Sequence, residues 1–375
     1  FVQASVDAVA DIDNFVKAHG IECLPRHDAT MLAATNPSQF GAWDAMFRVA
    51  EELGVQSPYR RMQRDELIEK VGDGPYLDGI IDERAMRIQP AMLVRGLLRT
   101  ARELGCEVYE RTPVERIRSR KGDILVKAGG HEIAAQKVVL ASYAWMAHLP
   151  ELRDRVSIVR SDIAATAPIP QRLERLGLRN RPNVMTMGQI PNYGGVTQDG
   201  RVYTGRGAGA LAFNARIGPV FDGSDEALRA VEKDFHFLYP QLSDVPATVS
   251  WSGPIDMTAA GLPWFDHLRE DRRIFYGIGY TGHGVCASAI GGRVLAAKVL
   301  ERDDPLDDLS ETLSIVRGGG TYPAEPIRFI GGTIVKAAVA RKELALRTGR
   351  KPGQLDVMLS KLATPPLKIS KAARA

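Results

Sequence analysis

A glycine-rich turn between an apolar strand and a long helix constrains this chain most. The run Ile274–Gly279 is typical of a buried strand, and the apolar pattern of Val285–Leu300 predicts a helix. The turn between them, Gly279–Gly284 (GYTGHG), carries three glycines in six residues. Glycines allow a ligand close to the backbone, and the helix would begin with unpaired N–H groups and a partial positive charge. The turn therefore suits a phosphate or the electron-rich edge of a flavin ring, and a tightly packed turn without a ligand is the alternative.

The rest of the chain predicts a mixed α/β and α+β architecture. A helix that begins at Pro90 precedes a small meander and the apolar run Lys137–Ala141, which is expected to be a strand buried on both faces of a doubly wound domain. Residues 156–262 alternate as antiparallel strands around one helix, Ser224–Phe237. The stretch Gly72–Arg87 shows no clear period and is expected to be irregular.

Composition excludes several protein classes. With 45% hydrophobic and 25% charged residues, the chain of 375 residues is typical of a globular protein. No stretch approaches the roughly 18 apolar residues of a membrane helix. Cys23, Cys106 and Cys286 are too scattered for a disulfide framework or a zinc site. We therefore expect no metal, no membrane span, reduced thiols and a cytoplasmic location.

The net charge of +4 is unevenly distributed. From Lys336 to the end, ten basic residues stand against Glu343 and Asp356. The interleaved aromatic residues and modules of nucleic-acid-binding proteins are missing there. We interpret this segment as a solvated, basic helical tail and expect no nucleic-acid partner.

Several short motifs resemble, in the same order, those of the D-amino-acid-oxidase-like FAD-dependent oxidoreductases, the family of glycine and sarcosine oxidases. They are TPVERI around Val114, LASYAW at 140–145, the Trp251-Ser252-Gly253 turn, Leu262-Pro263 and the Gly279–Gly284 loop. The sequence is most similar to the gamma-glutamylputrescine oxidoreductase-like branch, through WSGPIDMT at 251–258 and YPAEPIR at 322–328.

The resemblance implies two domains and an extension. Residues 1–20, 88–155 and 263–302 would form the FAD-binding doubly wound domain, and residues 21–87 and 156–262 the antiparallel-sheet substrate domain. Residues 303–375 would form a C-terminal extension with the basic helical tail. The family's first βαβ unit with its G-x-G-x-x-G motif is not found, so we expect the FAD domain to be incomplete at its N-terminus. Gly205–Ala210 matches G-x-G-x-x-A formally, but nearby glycines and Pro219 would break the helix that a true fingerprint opens.

The resemblance also implies the site residues. FAD would contact the backbone of Val114 at its adenine end, and Ala141 and Ser142 on the pyrophosphate–ribose side, with Trp145 packing nearby. Ordinary core packing is the alternative for Trp145. Further cofactor-binding residues would be Gly253, Gly279, Gly282, His283, Gly284 and Val285. Tyr280 and His283 would position the substrate.

One position indicates the substrate class. Amino-acid oxidases of this family carry an arginine two residues after the Trp-x-Gly turn, which clamps the substrate carboxylate. This chain has Ile255 there, so an amine such as a polyamine derivative is favoured, unless Arg84 or Arg206 substitutes.

The predicted reaction is the FAD-dependent oxidation of an amine C–N bond to an imine and then an aldehyde. Oxygen or another acceptor would reoxidise the flavin. The alternatives are an amino-acid or sarcosine-type oxidase, or a truncated, non-catalytic relic that holds no flavin.

Overall fold

The computed structural model describes residues 1–316 and 320–363. In these residues the strands are β1 (Arg26–Ala34), β2 (Arg60–Met62), β3 (Asp78–Arg87), β4 (Val114–Ser119), β5 (Ile124–Ala128), β6 (His131–Ala135), β7 (Val138–Leu140), β8 (Val156–Thr166), β9 (Asn183–Thr186), β10 (Asn192–Val196), β11 (Val202–Arg206), β12 (Ala247–Thr258), β13 (Trp264–His267) and β14 (Ile274–Ile278). The helices are α1 (Val2–Ala18), α2 (Asp44–Glu52), α3 (Arg64–Val71), α4 (Pro90–Glu103), α5 (Pro170–Arg175), α6 (Asp225–Leu238), α7 (Gly284–Leu300), α8 (Asp307–Val316), α9 (Ile327–Arg347) and α10 (Gln354–Ser360).

The largest layer is an eight-stranded sheet in the order β12-β8-β11-β10-β9-β1-β3-β2. All neighbouring strands are antiparallel except β1 and β9. Helix α6 packs against β8 and β11, and Phe235 and Leu238 of α6 belong to the largest cluster of buried apolar side chains. The structure thus confirms the predicted antiparallel sheet with its helix.

The prediction for Gly72–Arg87 was wrong. Residues Asp78–Arg87 form β3, which pairs with β1 on one side and with β2 on the other. Only Gly79, Ile80 and Ile81 of this strand are buried, so the stretch of sequence that could indicate a buried strand is short. Long-range pairing across the sheet therefore sets the conformation of this segment.

A three-stranded sheet, β13-β14-β7, carries the predicted turn. Strand β14 runs parallel to β7, with Tyr276 opposite Leu140, and antiparallel to β13. Helices α1 and α7 pack against each other, and α7 also contacts β13 and β14. Their core includes Ala8, Phe265 and Val294. This sheet therefore positions the start of α7.

The expectation that Lys137–Ala141 is buried on both faces was wrong. The run does form β7, but β7 is an end strand of its sheet in the described residues. Val139 is consequently 43% exposed and borders a cavity. The meander β4-β5-β6 forms a separate antiparallel sheet, as predicted.

The described residues after 302 contact the β13-β14-β7 sheet through α8 and the large sheet through α9, where Nη2 of Arg347 donates to Oδ1 of Asn192 on β10 at 3.0 Å. Leu313 of α8 joins the core beside Phe265, and the hydroxyl of Ser310 donates to the main-chain oxygen of Phe265 at 3.4 Å. The predicted basic tail is helical in α9 and α10, and residues 364–375 lie outside the described residues. Among the helices of the described part, none is long and apolar enough to cross a bilayer.

Candidate active site

The loop Gly279–Gly284 joins β14 to α7 and requires glycine at two positions. Gly279 and Gly282 have φ angles of +85° and +83°, which side chains of L-residues rarely adopt. A Cβ atom at Gly279 would also lie 2.3 Å from Cγ2 of Thr258. The close approach of the loop to β12 therefore depends on glycine.

Asp256 of β12 anchors this loop. Its Oδ2 accepts a hydrogen bond from the N–H of Gly279 at 2.6 Å, and its main-chain oxygen accepts one from the N–H of Thr281 at 3.1 Å. The hydroxyl of Thr281 donates to the main-chain oxygen of Gly279 at 3.0 Å. One residue of the large sheet thus holds two N–H groups of the loop.

The start of α7 is open. In the described residues, no side chain caps this helix at His283. A Cβ atom built on Gly284 would meet no atom within 4 Å. The first N–H groups of α7 and its partial positive charge are therefore available to a ligand with an electron-rich edge.

A cavity of about 550 Å³ lies beside this helix start. Its wall is mostly apolar and consists of Val139, Ala141, Tyr143, Tyr280, Gly284, Ser288, Gly292, Leu295, Ala296 and Val299. Its volume and lining are typical of a site for a flat organic group. A second cavity, of about 170 Å³, lies at the start of α6 and is much smaller.

A buried negative group lies behind this wall. Asp256 is fully buried (0% exposed), and burial raises its pKa to about 6 although the N–H groups of Gly279 and Thr281 oppose the shift. Burial, and then the charge of Asp256, raises the pKa of Tyr280 to about 12 and that of Tyr143 as well. Both tyrosines are therefore neutral hydrogen-bond donors at ordinary pH.

The structure brings only some of the predicted site residues together. Ala141, Tyr280 and Gly284 line the cavity, and Ser142 follows Ala141 directly. The ring of Tyr280 lies 6.2 Å from that of Phe265, so it also belongs to the core of α7. Gly279 is buried in the loop.

The other predicted residues lie around the cavity or away from it. Gly282, His283 and Val285 are exposed at the loop and the helix start. Trp145 is 55% exposed on a short 3₁₀ helix, and Val114 is 58% exposed at the start of β4.

Sequence reasoning missed Tyr143 and Asp256. Both lie inside motifs that were recognised, LASYAW and WSGPIDMT, but their positions beside the loop depend on tertiary contacts.

The large sheet presents Ile255 and Gly253 to the loop. Cδ1 of Ile255 lies 3.9 Å from the Cβ position of Gly282. Gly253 is two residues away on β12 and shares that face, and a Cβ atom there would meet nothing within 4 Å. An apolar side chain therefore occupies the position facing the loop.

Both arginines considered as substitutes for a carboxylate clamp are engaged elsewhere. Arg84 is paired with Asp82 at 3.1 Å, and Arg206 with the buried Asp234 at 2.5 Å. Each guanidinium is therefore already engaged in an ion pair.

Comparisons with known proteins identify the family of this chain. The model of the family described as DAO, FAD dependent oxidoreductase, matches residues 1–298. The chain is 25% identical over 312 residues to the probable oxidoreductase OrdL of Haemophilus influenzae, covering 80% of this chain and 68% of that protein. It is 25% identical over 283 residues to the gamma-glutamylputrescine oxidoreductase of Escherichia coli, covering 75% of this chain and 63% of that protein.

A solved structure shows the same fold. The glycine oxidase of Geobacillus kaustophilus superposes with a TM-score of 0.66 at 20% identity, covering 82% of this chain and 81% of that one. Because the identity is low, this similarity speaks for the fold alone.

Proposed function

Because this chain belongs to the DAO family of FAD-dependent oxidoreductases, we propose that it oxidises the C–N bond of an amine and that this amine is polyamine-like. In this proposal, residues 1–20, 88–155 and 263–302 form the FAD domain, and the eight-stranded sheet belongs to the substrate domain. Oxygen or another acceptor would reoxidise the flavin.

The residues around the loop fit the ring of FAD. Gly284 and Gly292 both leave open space where a Cβ atom would stand, and the cavity of about 550 Å³ adjoins both. The uncapped start of α7 suits the electron-rich edge of the ring. When bound, FAD supplies the acceptor for the hydride that leaves the carbon beside the amine nitrogen.

The protein's own groups bind, orient and exclude water. The N–H groups at the start of α7 stabilise negative charge where it develops. Val139, Leu295 and Val299 make the cavity wall apolar, which excludes water from the reacting atoms. The substrate reacts as a neutral amine, so the scheme requires no acid–base residue. Water then hydrolyses the imine to an aldehyde and a free amine.

The observation that carries the substrate class is the position of Ile255, whose Cδ1 lies 3.9 Å from where a Cβ atom of residue 282 would stand. An isoleucine cannot form the two hydrogen bonds that hold a carboxylate, and Arg84 and Arg206 are already ion-paired. A relative named gamma-glutamylputrescine oxidoreductase supports the same substrate class. His283 and Tyr280 are proposed to position the amine.

Relatives named glycine oxidase support a second candidate, an amino-acid oxidase. The two are separated by loading the purified protein with FAD and adding putrescine, gamma-glutamylputrescine, glycine or sarcosine without oxygen. We expect the amines to bleach the absorbance of oxidised flavin and to yield an aldehyde. Bleaching by glycine or sarcosine alone would overturn the polyamine-like substrate, and a protein that takes up no flavin would instead be the relic.

A further inference from the structure

Asp256 joins the large sheet to the loop Gly279–Gly284 by two hydrogen bonds, one through its side chain and one through its main chain. We propose that Asp256 is a positioning residue that fixes the Gly279–Gly284 loop at the start of α7, and that its charge sets how readily the flavin held there accepts electrons. The first part rests on geometry alone. The second part rests on the proposed function.

The loop alone does not explain why this residue is an acid. The N–H of Gly279 needs one acceptor, which the amide oxygen of an asparagine would provide equally well. The second carboxylate oxygen of Asp256, Oδ1, is buried and makes no hydrogen bond of ordinary geometry in the described residues, and the phenol of Tyr143 is a side-chain group that interacts with this carboxylate. A buried carboxylate is unfavourable unless it is paired. A buried negative charge at this position is therefore expected to act on the groups around it as well as on the N–H of Gly279.

The charge lies close to the cavity. The charge of Asp256 contributes to the raised pKa values of the Tyr143 and Tyr280 phenols, and both residues line the cavity. Both phenols are uncharged, so they do not neutralise the carboxylate. Asp256 therefore neighbours two residues of the cavity wall.

Two opposing fields then meet at the ring site. The partial positive charge at the start of α7 favours the arrival of electrons. The carboxylate of Asp256 disfavours it, and the low-dielectric surroundings strengthen its effect. The electron affinity of the flavin is the balance between these two fields. Removal of the carboxylate charge should make the flavin easier to reduce.

Two substitutions separate the proposed roles. Asp256→Asn keeps an acceptor for Gly279 and removes the charge, whereas Asp256→Leu has a similar size and removes both. The control is Asp162→Asn on the neighbouring strand β8. Asp162 is also buried (5% exposed), but its carboxylate is paired with Arg160 and accepts a hydrogen bond from Ser252.

Three readouts are needed. Hydrogen–deuterium exchange of the loop amides is measured on the chain without FAD. The dissociation constant of FAD and the reduction potential of the bound flavin are measured on the loaded protein. The exchange experiment decides the positioning role even if no flavin binds.

We expect Asp256→Leu to exchange its loop amides about tenfold faster and to bind FAD about tenfold more weakly, as the loss of one hydrogen bond implies. Asp256→Asn should keep the exchange rates and the FAD affinity and shift the reduction potential to a more positive value. Asp162→Asn should change neither loop exchange nor potential.

Each part can fail separately. Loop exchange in Asp256→Leu that matches the unaltered chain would overturn the positioning role. An unchanged potential in Asp256→Asn would overturn the role of the charge. A chain that binds no FAD would overturn the proposed function and the charge role together, and the exchange data would still decide the positioning role.

Discussion

In the proposed function, Ile255 occupies the position at which an amino-acid oxidase would hold the substrate carboxylate. Its side chain faces Gly282, and Gly253 beside it leaves space on the same face of β12. We predict that Ile255→Arg gains activity toward glycine and sarcosine relative to polyamines. A hydrogen bond to a charged group favours the amino acid by about 1.5–3 kcal/mol, or roughly tenfold to a hundredfold in the ratio of kcat/KM values.

The matched control for this change is Ile255→Leu, which keeps an apolar side chain of the same volume. It should leave the substrate preference as it is. If Ile255→Arg binds FAD normally but its preference does not move toward amino acids, the interpretation of this position is wrong.

Asp256 should also make stability depend on pH. Its pKa in the folded chain is about 6, against an ordinary value of 3.8. The folded state therefore binds the proton of Asp256 more tightly than the unfolded state does. The contribution of this proton to the free energy of unfolding is complete below the ordinary pKa and is lost as the pH rises through about 6. About two pKa units correspond to roughly 3 kcal/mol.

The side chain of Asp256→Asn does not titrate, so this variant is the reference for the unaltered protein. We predict that the free energy of unfolding of the unaltered protein falls relative to that of the variant as the pH rises across this interval. Urea denaturation of both proteins at a series of pH values measures the difference. A difference that stays constant with pH would refute the prediction.

At the residue scale, the sequence predicted those site residues whose type alone indicates a role. The loop glycines and Ile255 could be singled out because glycine indicates a close approach of a ligand and isoleucine replaces an expected arginine. The role of Asp256 could not be found in this way, because it depends on how β12 meets the loop after β14. The sequence does not show which N–H group will donate a hydrogen bond to an aspartate in a strand.

At the scale of elements, one buried ion cluster ties three parts of the chain together. Asp234 of α6 is 2% exposed and is paired with Arg206 of β11 and Arg347 of α9, each at 2.5 Å. It also accepts a hydrogen bond from Nδ2 of Asn192 at 2.7 Å. The cluster therefore fixes the C-terminal extension to the large sheet.

We predict that Asp234→Ala destabilises the fold by about 3–5 kcal/mol, since two arginines would face each other without a counter-charge. Urea denaturation measures the change. Asp244→Ala is the control, because Asp244 is 67% exposed in its pair with Arg172 and its replacement should cost much less stability. Equal effects of the two substitutions would contradict the account of the buried cluster.

The elements that the sequence predicted well have strong local signals. Strand β14 is predicted by a continuous apolar run and helix α7 by apolar residues at helical spacing. Helix α6 begins at Asp225, one residue after the predicted start at Ser224. Strand β3 was missed because its partners β1 and β2 determine it, and its own sequence is largely charged. The exposure of β7 was missed because a sequence does not show which strand ends a sheet.

At the scale of the whole molecule, the order of weak motifs was more informative than any one of them. The family, the fold class and FAD as the cofactor were predicted from that order, and the match over residues 1–298 confirms the family and its cofactor. The division into domains, the cytoplasmic location and the polyamine-like substrate stay predictions. The matched regions span 63–68% of the OrdL and gamma-glutamylputrescine oxidoreductase relatives.

The extension after residue 302 lies outside the matched region but is built into the molecule. Leu313 packs in the core beside Phe265, and Arg347 completes the buried cluster. A basic composition alone did not indicate this anchoring, because it depends on one buried aspartate more than a hundred residues earlier in the chain.

The central claim is that the open start of α7 holds the flavin ring, and Gly284→Val tests it most directly. Apart from its own helix and chain neighbours, no atom of the described residues lies within 4 Å of a Cβ position at Gly284. Valine should therefore leave the fold intact while its side chain enters the space proposed for the ring. Gly331→Val is the matched control, because Gly331 is equally open but lies on α9.

The measurement is a titration with FAD, followed by the visible absorbance of the bound flavin. We predict saturable binding to the unaltered chain and to Gly331→Val, and binding at least about tenfold weaker to Gly284→Val. Equal binding to all three proteins would contradict the account, because the ring would then lie somewhere other than at the start of α7.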